Sequence, residues 1–261
     1  LTDLPQLLAG QNRTFYAVGG TWRALARIHI IQSGYPLGVM HGYAIPATDA
    51  LAFVRRLRRL VAADMLADIE AVAEARRPLL AYAALVLEHV IRVAKPTTVV
   101  FSTFGVREGL LYSKLPDGER AQDGLLCAAQ GLNELLSRSA QHARELMEWT
   151  DRLFRVVHIR ETEEERRLRH AACLMSDIGW RMHPDHRGEQ AYGIILNGNF
   201  GSISHEGRIF AALSVFFRYE GLGDEAKPPA LTEQLSPAQI DRARLLGTAF
   251  RVAHLISAAR P

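Results

Sequence analysis

The 261 residues are 48% hydrophobic and 23% charged with a formal net charge of +3. That composition belongs to a folded chain of about two domains and excludes a disordered or fibrous one. A pI near 9.0 and ten histidines tilt the surface toward anionic partners, but the positive charge is too thin for a nucleic-acid binder, so small anions are expected instead. No apolar run reaches the roughly 20 residues of a membrane span, because the longest, around 79–94, carries Glu88, His89 and Arg92. Cys127 and Cys173 are the only cysteines and both sit in apolar helical patterns. They read as buried thiols of a cytoplasmic protein, with neither a disulfide framework nor a cysteine zinc site. The sequence starts at Leu1 without methionine or a basic-then-apolar signal pattern, so it reads as a segment of a longer polypeptide.

In chain order, Thr14 to Val18 predicts a strand, Gly19 and Gly20 a turn, and Thr21 the N-cap of a helix. Trp22, Leu25, Ala26 and His29 share one face of that helix, and Gly34 with Pro36 ends it. A helix over about 48–60 turns Leu51, Val54 and Leu57 inward and Arg55, Arg56, Arg58 and Arg59 outward. Those arginines, with Arg76 and Arg77, could line a path for a long polyanion, although a solvated helix face explains them without a ligand. A third helix is expected to start at Pro78 and, being apolar nearly all round, to be buried.

Residues 97–103 are rich in β-branched side chains and predict a second strand, after which Gly105 opens a short helix carrying Arg107 and Glu108. Acidic residues suit a first helical turn, which makes a structural role natural for Glu108; Arg107 could pair with a carboxylate or grip a phosphate. From Pro116-Asp117-Gly118 onward strand patterns vanish, so a boundary is expected there, with an α/β domain over 1–116 and an all-α domain over 117–261. Thr162 with Glu165 and Ser236 with Gln239 have capping-box spacing. Residues 221–235 predict an exposed loop, residues 161–169 a mixed-charge run matched to a helix dipole, and 183–189 a polar loop. The apolar stretch 210–217 suits either an interface or a core.

Both strand-to-helix turns, at Gly19-Gly20-Thr21 and at Gly105, aim backbone N–H groups and the positive end of a helix dipole at whatever lies above them. Missing side chains let a bound oxyanion approach the backbone, and Thr21 can add a hydroxyl donor.

The segments Tyr16-Ala-Val-Gly-Gly-Thr-Trp-Arg-Ala-Leu-Ala-Arg-Ile-His29, Phe101-Ser-Thr-Phe-Gly-Val-Arg-Glu-Gly-Leu-Leu-Tyr112 and Arg169-His-Ala-Ala-Cys-Leu-Met-Ser-Asp-Ile-Gly-Trp180 resemble the exopolyphosphatase and guanosine pentaphosphate phosphohydrolase family. The resemblance runs from end to end. It implies a partial ribonuclease-H-like (actin-like) domain followed by a degenerate HD-like helical domain, in a magnesium-dependent homodimer that hydrolyses inorganic polyphosphate or guanosine pentaphosphate. It also implies that the catalytic glutamate and the acidic phosphate loops precede the Gly-Gly-Thr turn, and no residue of this chain matches them. Gly19, Gly20 and Thr21 are carried over as the phosphate-facing or nucleotide-facing turn, and Arg107 and Glu108 as a family signature. The segment alone is expected to be inactive.

Likeness to HD phosphohydrolases points to a second place for a metal, where His142 could stand first in the ligand set. The tandem pair there reads Ser176-Asp177, and the late helix offers His254 where an aspartate is expected. Losing two of four ligands removes most of a divalent site's affinity. Two other readings stand beside the hydrolase: a non-catalytic binding or regulatory module, and an HD-type metal phosphohydrolase.

Overall fold

The computed structural model describes residues 4–63, 65–66, 70, 72–223 and 229–257. They form two compact units, 1–116 and 117–261.

In the first unit a short helix α1 (Pro5–Leu8) leads to strand β1 (Thr14–Val18), helix α2 (Gly20–Gln32), strand β2 (Tyr43–Pro46) and helix α3 (Ala47–Ala62). Helix α4 (Leu80–Ala94), strand β3 (Thr98–Ser102) and helix α5 (Val106–Ser113) complete it. The strand order is β1-β3-β2. β1 runs parallel to β3 with Thr14 opposite Thr98 and Val18 opposite Ser102, whereas β2 is antiparallel, with Tyr43 opposite Phe101. The carboxyl ends of β1 and β3 and the start of β2 therefore meet at one edge of the sheet. In open α/β sheets that is the edge where ligands bind.

β3 is the middle strand and buries Val99 and Phe101, the alternate residues a half-buried strand should turn inward. Against them pack Leu25 and Ile28 of α2, Phe53, Val54 and Leu57 of α3, and Leu80, Ala84 and Leu87 of α4. His29 and Tyr43 join α2 to β2 through a 2.7 Å hydrogen bond.

α2 ends as expected: Ser33 N–H reaches the His29 carbonyl, and Gly34 follows with φ +63°. β2 has no forecast in the sequence, because four residues between Gly42 and α3 show too little alternation to read. Two expectations are corrected. Pro78 does not start a helix; it lies within a 3-10 turn, Glu74–Leu79, that leads into α4. Nor is α4 buried all round: Leu79, just before it, and Tyr82, Leu85 and Val86 are exposed, and the core is served by the other face.

The second unit holds α6 (Asp117–Arg120), α7 (Gly124–Leu136), α8 (Ala140–Val156), α9 (Glu163–Met175), α10 (Arg187–Asn197), α11 (His205–Glu220) and α12 (Pro237–Ser257). α11 is the central helix, buried continuously from Gly207 to Arg218, so the apolar stretch 210–217 is core. Within it Arg208, wholly buried, donates to the carbonyls of Ile195, Leu196 and Gly198 at the end of α10, where a cation satisfies orphan carbonyls.

Both capping boxes form. Thr162 N–H donates to Glu165 Oε2 at 2.7 Å and Glu165 N–H to Thr162 Oγ1 at 3.2 Å; Ser236 and Gln239 do the same at 2.8 and 3.3 Å. The mixed-charge run does more than match a dipole. Arg169 turns inward and is shared by Glu161, Asp151 and the Thr150 hydroxyl. Cys173 is buried and its thiol is pushed up to about 12 by that burial. Cys127, expected inside, is exposed, because its side of α7 faces solvent. The forecast loop 221–235 contains a 3-10 turn, Ala230–Gln234, and its residues 224–228 lie outside the described residues.

Candidate functional site

β1 hands directly to α2 at Gly19, whose φ of +131° and ψ of 155° belong to a backbone region that is essentially open only to glycine. Gly19 is the N-cap, without any side-chain cap bond, and Thr21 is the second residue inside the helix, which corrects the expectation that Thr21 caps it. The first helical hydrogen bond runs from Arg23 N–H to Gly19 O at 3.1 Å. The N–H groups of Gly20, Thr21 and Trp22 precede it and have no partner within the helix.

This turn is half-exposed. It borders a cleft of ≈ 340 Å³ lined by residues 18–22 on one side and by Leu79, Tyr82, Ala83 and Val86 on the other. The exposed apolar side of α4 is thus the facing wall of the cleft. Apolar walls around free backbone donors lower the local dielectric and strengthen any N–H to oxyanion bond.

Behind the same glycine is a second pocket of ≈ 220 Å³, which takes in Gly20, Arg23, Arg27, Met40, Arg76 and Thr103 among its lining. Arg23 Nη1 donates to Thr103 O at 2.9 Å, tying α2 to the end of β3. Arg76 lies over Gly20 so closely that a Cβ there would meet guanidinium atoms at 2.9 to 3.0 Å. Arg23 and Arg27 carry no signal that sequence reading could separate from an ordinary helix face. Only the fold brings Arg76 to them.

Glu108 and Arg107 stand on α5, outside both linings. The Glu108 carboxylate accepts from Gly105 N–H at 2.6 Å, which closes the start of α5 and holds its pKa below the usual carboxylate range. Arg107 is exposed, and neither residue lines the two pockets at Gly20. α5 buries none of its residues among those described.

His142, Asp177 and His254 do come together in the second unit. The two imidazole rings meet edge to face with centroids 4.7 Å apart, and His254 Nε2 contacts Ser176 Oγ at 3.1 Å. Both carboxylate oxygens of Asp177 are engaged by arginine: Arg138 donates at 2.9 Å to each, and Arg218 Nη2 donates to Oδ1 at 2.5 Å. Burial pushes the Asp177 carboxyl up, but the bonds from Arg138 and the charge of Arg218 outweigh it and hold it below the usual range. Burial, then Arg218, drives His254 down to about 3. A metal would need that carboxylate and would meet two guanidinium groups in its place, so the cluster is an ion-paired core. Among the described residues no group of three or more His, Cys, Asp or Glu converges as metal ligands.

Residues 4–118 match the Ppx/GppA phosphatase family, and residues 125–261 match the family described as exopolyphosphatase, C-terminal. The chain belongs to the Ppx/GppA phosphatase family. No curated protein matches it. The α/β unit, the helical unit and the Gly19-Gly20 turn are therefore parts of a phosphatase-family protein, and no described helix is long and apolar enough to cross a membrane.

Proposed function

We propose that this chain forms one wall of a phosphoanhydride hydrolase that releases terminal phosphate from inorganic polyphosphate or guanosine pentaphosphate. The observation that carries the reading is the open Gly19-Gly20-Thr21 turn at the carboxyl edge of two parallel strands, bordering a cleft of ≈ 340 Å³. The N–H groups of Gly20, Thr21 and Trp22 and the Thr21 hydroxyl hold phosphoryl oxygens there, and the dipole of α2 adds favourable potential. Phosphoryl transfer to water depends on such positioning and on stabilising charge at the transferred oxygens.

Activating the water needs a base, and none of the described residues lining the cleft is acidic or a histidine. The base is assigned to residues outside this chain, as the family likeness implies. The same likeness implies magnesium, but the described lining of the cleft offers no carboxylate to hold it. The missing base also favours a second reading, a binding or regulatory module that grips phosphate without cleaving it.

Orthophosphate binding by calorimetry and phosphate release from polyphosphate test both readings. The 261-residue chain is expected to bind, to bind several-fold more weakly as Thr21→Val, and to release no phosphate. Release by this chain would sink the one-wall reading, and unchanged binding by Thr21→Val would sink the turn.

A further inference from the structure

The pocket behind Gly20 differs from every other gathering of arginines among the described residues. Arg55, Arg58 and Arg92 converge on Glu88, Arg138 and Arg218 on Asp177, and Arg166 and Arg169 on Asp151. Arg23, Arg27 and Arg76 converge on a pocket with no acidic residue among its described lining, and none of the three makes an ion pair among the described residues. Glu108 is near enough for its charge to feel Arg23, but its carboxylate is bonded to Gly105 N–H and lies outside the lining.

The sequence builds this arrangement by two devices. Gly20, Arg23 and Arg27 are three and four residues apart on α2, which places them on one helical face. Gly20 has no side chain, and only that lets the Arg76 guanidinium settle against the backbone. Arg23 is further fixed by its bond to Thr103 O, so one guanidinium is held in place before any ligand arrives. Three like charges facing one small pocket repel one another, and a multiply charged anion relieves the repulsion. A guanidinium fork matches phosphoryl oxygens bidentately.

We propose that this pocket is a second phosphoryl subsite, so that a linear oligophosphate places one group at the Gly19–Thr21 turn and another among Arg23, Arg27 and Arg76. The inference rests on the reading of the turn given above. It makes chain length the selected property: the two depressions share Gly20, and a ligand with a single phosphoryl group fills only one of them.

Calorimetric titration of the 261-residue chain with orthophosphate and with tripolyphosphate tests it. Tripolyphosphate is expected to bind at least about tenfold more tightly. Arg27→Gln/Arg76→Gln is expected to abolish that preference while leaving the far-ultraviolet dichroism spectrum unchanged. Gly20→Ala, which pushes Arg76 aside, is expected to weaken tripolyphosphate in the same direction. Equal affinity for the two ligands in the wild type, or a preference that survives Arg27→Gln/Arg76→Gln, overturns the proposal. If Thr21→Val leaves both affinities intact while the arginine variant loses tripolyphosphate, the turn reading fails and the arginine pocket stands as an oligophosphate site. If Thr21→Val weakens both ligands and the arginine variant changes neither, the turn stands and the subsite falls.

Discussion

Arginines gather around Asp177 in the helical unit and around Gly20 in the α/β unit, and the two gatherings solve opposite problems. At Asp177 the arginine side chain of Arg218 is only 5% exposed and meets a carboxylate only 6% exposed, so the protein itself supplies the counter-charge. At Gly20 the three arginines border an open pocket, and no carboxylate stands among its described lining residues. Buried charge must be neutralised within the fold, whereas charge at a pocket mouth can wait in water for a ligand. Structural and ligand-directed arginines can thus be told apart by whether a carboxylate closes the cluster. The degenerate HD-like ligand position and the Gly-Gly turn, a metal and a phosphate candidate in the sequence, fall on opposite sides of that test.

The sharpest way to break the comparison is to remove the carboxylate. Asp177→Ala leaves Arg218 buried without its carboxylate, and with it the two Arg218 nitrogens, Nε and Nη1, that already have no hydrogen-bond acceptor. Breaking a buried pair from one side costs about 3 to 5 kcal/mol. Urea unfolding followed by helical dichroism should show that loss in the transition of the helical unit. A loss under about 1 kcal/mol would mean that Asp177 is hydrated and that the cluster is not the closed core described here.

Acid should expose the same cluster more gently. His254 is 8% exposed, with Arg218, Arg138, His142 and Asp177 as its charged or titratable neighbours, and it stays neutral in the fold down to about 3. Unfolded, an imidazole takes up its proton near pH 6.5. Between those values the unfolded state binds the extra proton, so stability is complete above about pH 6.5 and falls as pH drops, by about 1.4 kcal/mol per unit for this group. His142, shifted in the same direction, adds to the slope. Stability measured at pH 7 and pH 5 should therefore differ by about 2 kcal/mol from His254 alone, and His254→Asn should flatten the profile by that amount. An unchanged slope in His254→Asn would show that the imidazole already carries its proton in the fold.

How far the sequence foretold these features depended on the range of the interactions that make them. The β1 turn, the Gly34 helix end and both capping boxes are set by residues within a few positions of one another, and each could be read directly. β2 escaped because it is four residues long and its alternation gains meaning only when Tyr43 and Ile45 find the core beside Phe101. Asp177 looked like a surviving metal ligand because its two arginines lie 39 residues before it and 41 after it, distances at which spacing carries no information. The arginine pocket escaped for the same reason: Arg27 and Arg76 are neighbours only once the 3-10 turn before α4 has returned to α2.

The mildest prediction bears most directly on the contrast. If Arg23, Arg27 and Arg76 answer to a ligand, removing two of them costs the fold nothing, because no buried carboxylate loses a partner among the described residues. Relief of like-charge repulsion at an exposed site amounts to a few tenths of a kcal/mol. Arg27→Gln/Arg76→Gln should therefore unfold in urea within about 0.5 kcal/mol of the parent at low salt, on the stable side if on either. Adding salt should erase even that difference, since screening weakens the parent's repulsion as the substitution does. Tripolyphosphate should then stabilise the parent by mass action more than it stabilises the variant. A variant that loses 2 kcal/mol or more without ligand would place these guanidinium groups with those around Asp177, as part of the framework.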